Sequence, residues 1–300
     1  MTLRKIKFYD VSRRIDMKPG FDNDISKLNE IAKTDFFFIG SILGILSNWS
    51  YHFINNDKRY KNYIKNYYLR FHDFFNPVIL FGTGFISKLN KSENYIRNIK
   101  ILAVRGKLTL QRLLKNGVKT PKSVILADPG ILFPFIFNMS QINSTKKIYR
   151  LCIIPHYVDK ENSLIKNNIK VNNSFILDIN DNPDKFVKSL LKCERVLSSS
   201  LHGLIISDSL GIANMRMIVS SKIKGGDYKF KDYYSAYDLE LPFYIDLRST
   251  IVKENNLNII DSSYKISLEM IRKKQCLLLI NFPYRLRKQF ENLKNKQKKY

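Results

Sequence analysis

Residues 196–211 constrain the fold of this chain more than any other stretch of the sequence. Two apolar residues lead into three consecutive serines, and a helical pattern begins immediately afterwards. Leu201, Leu204 and Ile205 recur at the spacing of one helix face, and Gly211 suits the left-handed position that ends a helix. The pattern predicts a short strand, a hydroxyl-rich turn and a helix, in that order.

The start of this predicted helix has features that suit an anionic ligand. Ser199 or Ser200 is a good N-cap, because its side-chain oxygen can accept a hydrogen bond from an N–H group of the first turn. The other first-turn N–H groups and the helix dipole attract anions. His202 adds a titratable side chain, and Gly203 removes a side chain beside it. A capped core helix with a chance histidine explains the spacing equally well.

Strand-like and helix-like patterns alternate through both halves of the chain. Two apolar runs each lead into a glycine-containing loop, as buried parallel strands do. Gly82 and Gly84 either let a ligand approach the backbone or only turn the chain, and neither loop matches a dinucleotide-binding fingerprint. Strands are predicted at 35–39, 77–81, 100–104, 123–127, 148–154, 175–178, 195–197 and 213–219, and helices at 107–115 and 183–192. The alternation indicates an α/β fold with parallel sheets.

Two charged residues follow predicted strands in the N-terminal half. Arg105 comes directly after the strand at 100–104, where a guanidinium can fork onto a carboxylate or phosphate. A structural ion pair is its alternative role, and the loop position favours the functional one. Asp128 follows the strand at 123–127 and either orients a substrate, caps a helix or makes a turn.

The segment at 224–234 is polar, aromatic and glycine-containing, and it includes Gly226 and Lys229. We predict that it forms either a mobile loop over a cleft or a well-solvated connection. The pattern favours neither of these two structures over the other.

The chain carries a formal net charge of +25, with 51 Lys and Arg against 26 Asp and Glu. This excess favours an anionic partner, such as nucleic acid, an anionic membrane surface or a phosphorylated substrate. Nucleic acid is disfavoured because the basic residues are spread along the chain and no nucleic-acid-binding motif is present. The basic tail at 272–300 either lies on an anionic leaflet or forms a final packed helix with a solvated end.

The three cysteines, Cys152, Cys193 and Cys276, lie far apart and show no metal-binding spacing. We expect them to be buried apolar thiols in a reducing compartment. The N-terminus lacks the apolar core of a signal peptide, and no run approaches the ~20 apolar residues that span a bilayer. These features predict a cytoplasmic protein, held at the inner face of the membrane if the tail binds lipid.

The sequence SSSLHGLI at 198–205, followed by DSLGI at 208–212, resembles a motif of the polysaccharide pyruvyl transferase family. Other segments resemble that family in the same order along residues 20–240. They are FDND at 21–24, IGSIL at 39–43, FGTGF at 81–85, VRGKLT at 104–109, LADPG at 126–130, IPHYVD at 154–159 and DYKFKDYY at 227–234.

The resemblance implies two Rossmann-like domains that face each other across a cleft, as in GT-B-like transferases. We predict an N-terminal α/β domain at 1–145, a C-terminal α/β domain at 146–270 and a basic C-terminal helix or tail at 271–300. The implied reaction moves pyruvate from phosphoenolpyruvate to a sugar of a cell-surface polysaccharide or its lipid-linked precursor, as a ketal. It requires no cofactor, and no metal site is evident. The alternatives are a glycosyltransferase that uses a nucleotide-activated sugar, and a non-catalytic basic protein that binds glycan or membrane.

The resemblance also assigns candidate site residues. His202 is the first choice for a general acid or phosphate ligand, and His156 is the second. The expected donor-binding residues are Arg105, Ser199, Ser200, Leu201 and Gly203. The other cleft candidates are Asp128, Gly82, Gly84, Gly226 and Lys229.

Overall fold

The computed structural model describes residues 36–37, 78–88, 99–136, 145–179 and 181–282. The chain divides into two compact units, Met1–Asp128 and Pro129–Tyr300. None of the helices in the described ranges combines the length and the apolar character needed to cross a membrane. The three-domain division with boundaries at 145/146 and 270/271, the cytoplasmic location and the membrane association of the tail stay predictions.

Within the described residues, the first unit contains a four-stranded parallel sheet with the strands in chain order. The strands are β1 (Phe36–Phe37), β2 (Val78–Phe81), β3 (Ile99–Val104) and β4 (Ile125–Leu126), and helix α1 (Lys107–Lys115) follows β3. Because all four strands run the same way, the loops that follow them meet at one edge of the sheet.

The second unit contains a five-stranded sheet in the part of the chain that the structure describes, and every neighbouring pair is parallel. Its strands are β5 (Leu151–Ile154), β6 (Ser174–Ile176), β7 (Arg195–Ser198), β8 (Ala213–Ile218) and β9 (Tyr244–Asp246). They lie in the order β6-β5-β7-β8-β9. The four residues of β5 are all buried, as expected for a strand that is covered on both faces.

Three helices of the second unit begin at residues whose side chains cap the first turn, Asn162, Asn182 and Ser267. The side chain of Asn182 accepts a 2.9 Å hydrogen bond from the N–H of Asp184, with a proline in the first turn. Ser267 caps the last helix in the same way, through the N–H of Met270 at 3.2 Å. The helices are α2 (Ser163–Asn167), α3 (Pro183–Leu190), α4 (Leu201–Ser209), α5 (Tyr228–Ser235), α6 (Asn256–Ser263) and α7 (Leu268–Ile280), with 3₁₀ segments at Pro129–Ile136 and Tyr157–Asp159.

The chain changes direction across the sheet between β5 and β7. From β5 it moves outward to β6, and from β6 it returns past β5 to β7. The helices that follow these two strands cover opposite faces, since Ile165 of α2 packs into one apolar cluster and Ile206 of α4 packs against the other. In a doubly wound sheet this arrangement opens a crevice at the carboxyl ends of the two strands, where ligands bind.

The α/β class with parallel sheets is confirmed. The prediction for the segment at 224–234 is wrong for residues 228–234, whereas residues 224–227 form an exposed or half-exposed turn. Residues Tyr228–Ser235 form helix α5, and Lys229, Phe230 and Tyr233 are buried in it. Neither a mobile loop nor a solvated connection describes these residues. Phe230, Tyr233 and Tyr234 carry enough apolar area to hold the helix against the sheet, and this outweighs the polar composition of the segment.

The prediction for the cysteines is also wrong. Cys152 in β5 and Cys193 just before β7 form a disulfide, with Cα atoms 5.7 Å apart. Both are fully buried in an apolar cluster, as expected, but Cys276 is an exposed free thiol. The two cysteines are 41 residues apart in the sequence, so the sequence did not indicate that they pair. They meet because β5 and β7 are neighbours in the sheet. Cysteine usage therefore no longer supports a reducing compartment.

Several sequence predictions fall on residues outside the described ranges. From its local patterns the sequence predicts a strand at 6–9 and helices at 22–33 and 58–75, and it predicts structural roles for His52 and His72. These residues and the tail beyond residue 282 lie outside the described ranges.

Candidate functional site

Two serines join the loop after β5 to the loop after β7. The backbone N–H of His156 donates a 2.8 Å hydrogen bond to the hydroxyl oxygen of Ser199, and the N–H of Ser199 donates to the carbonyl of Ile154 at 3.2 Å. The Ser198 hydroxyl lies 2.9 Å from the carbonyl oxygens of Ile154 and Ser200, and accepts the N–H of Ser200 at 3.0 Å. The serine-rich turn thus holds His156 beside the start of α4.

The first turn of α4 lies directly on the strand ends because residue 203 is glycine. A Cβ atom at Gly203 would lie 2.4 Å from the Ser198 hydroxyl oxygen and 2.9 Å from a methyl carbon of Ile154. Ser200 is the N-cap residue, as one alternative predicted, but its side chain makes no capping hydrogen bond. The predicted capping interaction is therefore wrong, and the oxygens of Ser198 and Ser199 bind the turn and the His156 loop instead. Gly211 has φ +67 and ends the helix, as predicted.

His156, His202 and Lys229 form a cluster of nitrogen-bearing side chains at this edge of the sheet. Burial, followed by the positive charges of Lys229 and His202, lowers the pKa of His156 to about 4. The imidazole is therefore neutral at pH 7. Its Nδ1 accepts the N–H of Val158 at 3.4 Å, so the neutral ring carries its proton on Nε2. The Nε2 atom of His202 is buried, and Lys229 is only 7% exposed.

A second contact links the loop after β5 to the chain after β8. The carboxylate of Asp159, which is 1% exposed, accepts a hydrogen bond from the hydroxyl of Ser220. Since β7 lies between β5 and β8, the segment from His156 to Asp159 spans the carboxyl end of β7.

A buried polar network ties helix α5 to helix α4. The carboxylate of Asp208 in α4 accepts hydrogen bonds from Tyr233 in α5 at 2.7 Å and from Asn214 at 2.6 Å. Burial raises the pKa of Asp208 to about 7, although hydrogen bonds from Asn214, Tyr233 and Tyr264 oppose the rise. Lys229 precedes Tyr233 by one helical turn, so the network also fixes the position of Lys229 relative to α4.

Four candidates from the N-terminal half gather in the first unit. Gly82 and Gly84 follow β2, Arg105 follows β3, and Asp128 follows β4, so parallel strands bring them to one edge of that sheet. The guanidinium of Arg105 is fully buried, donates from Nη2 to the carbonyl of Phe85 and lies flat against Gly84. A Cβ atom at Gly84 would lie 2.5 Å from the Arg105 Cζ atom. Roles for these four residues in donor binding stay predictions.

The remaining candidates belong to the second unit. His156, Ser199, Ser200, Leu201, His202 and Gly203 lie at the carboxyl ends of β5 and β7. Gly226, with φ +49, lies in the turn that leads into α5, which carries Lys229. Each role assigned to these residues from the sequence stays a prediction. Within the described ranges, no three His, Cys, Asp or Glu side chains are grouped so that they could hold a metal ion.

Arg216 is a charged residue of this site that the sequence reasoning missed. It lies in β8, is 8% exposed, and pairs in register with Ser198 at the end of β7. Its Nη2 binds the carboxylate of Asp227 at 2.7 Å. An arginine within a mostly apolar strand pattern, Ala-Asn-Met-Arg-Met-Ile, is the signal that could have revealed it.

Comparisons with known proteins identify the family of the chain. The family model described as polysaccharide pyruvyl transferase matches residues 3–219. The chain is 34% identical over 233 residues to an uncharacterized protein of Acanthamoeba polyphaga mimivirus, and the match covers 72% of this chain and 77% of that protein. No solved structure matches the chain. The chain therefore belongs to the polysaccharide pyruvyl transferase family, and it is a transferase whose acceptor is a polysaccharide.

Proposed function

We propose that the protein transfers pyruvate from phosphoenolpyruvate to a sugar of a cell-surface polysaccharide, or to its lipid-linked precursor, and forms a ketal. The observation that carries this proposal is the meeting of His156, His202 and Lys229 at the crevice between β5 and β7. Family membership supports the reaction class. A small donor with a carboxylate and a phosphate needs backbone N–H groups, cations and a proton donor, and this crevice contains residues of each kind.

The reaction requires one proton to reach the donor and two protons to leave the acceptor. A first sugar hydroxyl adds to C2 of the enol and loses its proton, while C3 gains a proton to become a methyl group. A second hydroxyl then replaces the phosphate at C2, and its proton leaves with the inorganic phosphate. In this proposal His202 delivers the proton to C3 and also lies near the departing phosphate.

His156 has a different role in this proposal, because it is neutral near pH 7. Its Nε2–H group donates a hydrogen bond to an oxygen of the donor without adding a charge of its own. Lys229 supplies the positive charge instead, and the dipole of α4 contributes to the same end. A bound phosphate would raise the pKa of His156, since a nearby anion favours the protonated imidazole.

The test follows carbon-13 from phosphoenolpyruvate labelled at C2 into a polysaccharide acceptor, with inorganic phosphate measured in parallel. We expect a labelled ketal carbon and an equal amount of phosphate with the wild-type chain. His202→Gln should reduce both by at least a hundredfold, while Ser262→Ala, an exposed change in α6, should leave them unchanged. Circular dichroism and thermal melting check that both variants are folded.

Two results would overturn parts of this proposal. If the label stays in phosphoenolpyruvate while a nucleotide sugar stabilises the protein and donates its sugar, the chain is a glycosyltransferase. If folded His202→Gln keeps wild-type turnover, the proton-transfer role of His202 is wrong. Arg105→Gln, measured in the same assay, tests the predicted role of the first unit in donor binding.

A further inference from the structure

Arg216 lies in the interior of the second unit, and one end of its guanidinium has no hydrogen-bond partner among the described residues. The side chain is 8% exposed. Its Nη2 binds the Asp227 carboxylate at 2.7 Å, and its Cζ lies 4.1 Å from the ring centroid of Phe230. The Nη1 atom is buried, and no hydrogen-bond acceptor contacts it within the described ranges. Burying a charged donor without an acceptor costs folding free energy. An anionic ligand bound to Nη1 would supply the missing acceptor.

Arg216 lies beside the end of β7, the strand that leads into α4. Arg216 and Ser198 are register partners in neighbouring parallel strands, and their side chains point to the same face of the sheet. The Ser198 side chain lies under Gly203 in the first turn of α4. The side chain of Arg216 therefore projects from the same sheet face as the side chain of Ser198, beside the first turn of α4.

A second cation lies close to the same place. Both the Arg216 Cζ and the Lys229 Nζ face the ring of Phe230, at 4.1 Å and 5.4 Å from its centroid. The charge of Lys229 also lowers the pKa of His156, so Lys229 lies near both the Phe230 ring and His156. Asp227, the acid paired with Arg216, is itself 47% exposed, and its charge is partly screened by water.

We propose that Arg216 Nη1 and the first-turn N–H groups of α4 form a subsite for the phosphoryl group of the donor. This inference rests on the proposed function, because it places the phosphate of phosphoenolpyruvate beside His202. Asp227 is a positioning residue that holds the guanidinium through Nη2 and leaves Nη1 for the ligand.

The geometry favours a phosphoryl group over a carboxylate. A planar carboxylate is best recognised by two parallel donors of one guanidinium, and Asp227 already occupies Nη2 of Arg216. A tetrahedral phosphoryl group accepts single hydrogen bonds from several directions. One Nη donor and a set of backbone N–H groups at a helix start provide such an arrangement.

The experiment measures binding of inorganic phosphate, phosphoenolpyruvate and UDP-glucose to the full chain by calorimetry. Arg216→Gln should weaken phosphate and phosphoenolpyruvate at least tenfold. The matched control is Arg248→Gln, since Arg248 forms a similar ion pair with Asp246 at 2.6 Å but is 49% exposed. It should change both affinities less than twofold. Arg216→Lys should recover part of the lost affinity, because it keeps the charge.

The outcomes separate the subsite from the proposed reaction. If Arg216→Gln weakens UDP-glucose and phosphate while phosphoenolpyruvate does not bind the wild type, the subsite stands and the pyruvyl donor is wrong. If folded Arg216→Gln binds phosphoenolpyruvate normally and transfers pyruvate with unchanged KM, the subsite is wrong and the reaction stands. Wild-type crystals soaked in phosphate give a result that needs no variant: phosphate on Nη1 supports the subsite, and phosphate only elsewhere, or none, overturns it.

Discussion

The backbone N–H of His156 donates a 2.8 Å hydrogen bond to the hydroxyl oxygen of Ser199, across 43 residues of sequence. This contact joins the two loops that flank the crevice between β5 and β7. It fixes His156 relative to α4 without using the imidazole. Since Nδ1 accepts the N–H of Val158, Nε2 is the nitrogen that remains for a ligand. The serine-rich turn is therefore a positioning element as well as the start of a helix.

Replacing Ser199 by alanine should loosen this junction. The N–H of His156 would lose its acceptor, which costs about 1–3 kcal/mol of unfolding free energy if the group remains buried. Chemical denaturation measures the loss, and the transferase assay should show a larger fall in kcat than the stability change alone explains. Ser262→Ala removes an exposed helix hydroxyl and should change stability by less than about 0.5 kcal/mol. Equal effects of the two substitutions would contradict this role.

Replacing Gly203 by alanine should displace the first turn of α4. The added methyl group would collide with the Ser198 hydroxyl and with Ile154, and overpacking of this kind costs about 1–3 kcal/mol. Adding Ser198→Ala should restore part of the stability, because it removes the atom closest to the new Cβ. Gly117→Ala is the control, since Gly117 has φ +74 but a Cβ added there would meet no atom of the described residues within 4 Å. When Ser198→Ala is added to Gly117→Ala, it should restore no comparable amount of stability.

The low pKa of His156 predicts a specific dependence of stability on pH. The folded pKa is about 4 and the ordinary value is 6.5, so between these values the unfolded chain binds more protons. Folding stability should therefore fall as pH decreases from about 6.5 to about 4. His156→Gln lacks this contribution, so its stability relative to wild type should increase as pH falls from about 6.5 to about 4.

The contribution of Asp208 to folding stability has the opposite pH dependence. It must be considered when the stability of wild type is compared with that of His156→Gln. Its folded pKa is raised to about 7, so its contribution to stability is present at low pH and is lost as pH rises from about 4 to about 7. Wild type and His156→Gln both contain Asp208, so the difference between their unfolding free energies at each pH reports the contribution of His156. A difference that is flat from pH 4 to 7 would show that His156 titrates normally.

The disulfide between Cys152 and Cys193 should contribute strongly to stability. It closes a loop with a sequence separation of 41 residues, which corresponds to about 2–4 kcal/mol of stabilisation. Replacing both cysteines by alanine should lower the denaturation midpoint accordingly, whereas Cys276→Ala should have little effect because that thiol is exposed. Under denaturing, non-reducing conditions we expect one reactive thiol per chain, and three would refute the disulfide.

The sequence by itself determined the α/β class, most strand positions and the order of the motifs. These are local properties, since apolar runs, capping residues and glycines act on their own neighbours in the chain. The strand at 195–197 and the helix that follows it are found where the pattern predicts them. The helix Tyr228–Ser235 was missed because aromatic and charged residues in alternation lack a clean helical stripe.

Only the tertiary structure decided which distant residues meet. The strand order brings β7 beside β5 rather than beside β6, and this one topological choice pairs Cys152 with Cys193 and His156 with Ser199. The pairing of β7 with β8 sets Arg216 next to Ser198, just before the start of α4. No local pattern encodes these contacts, because the pairing of strands depends on the burial of whole sheet faces and not on the sequence near each residue.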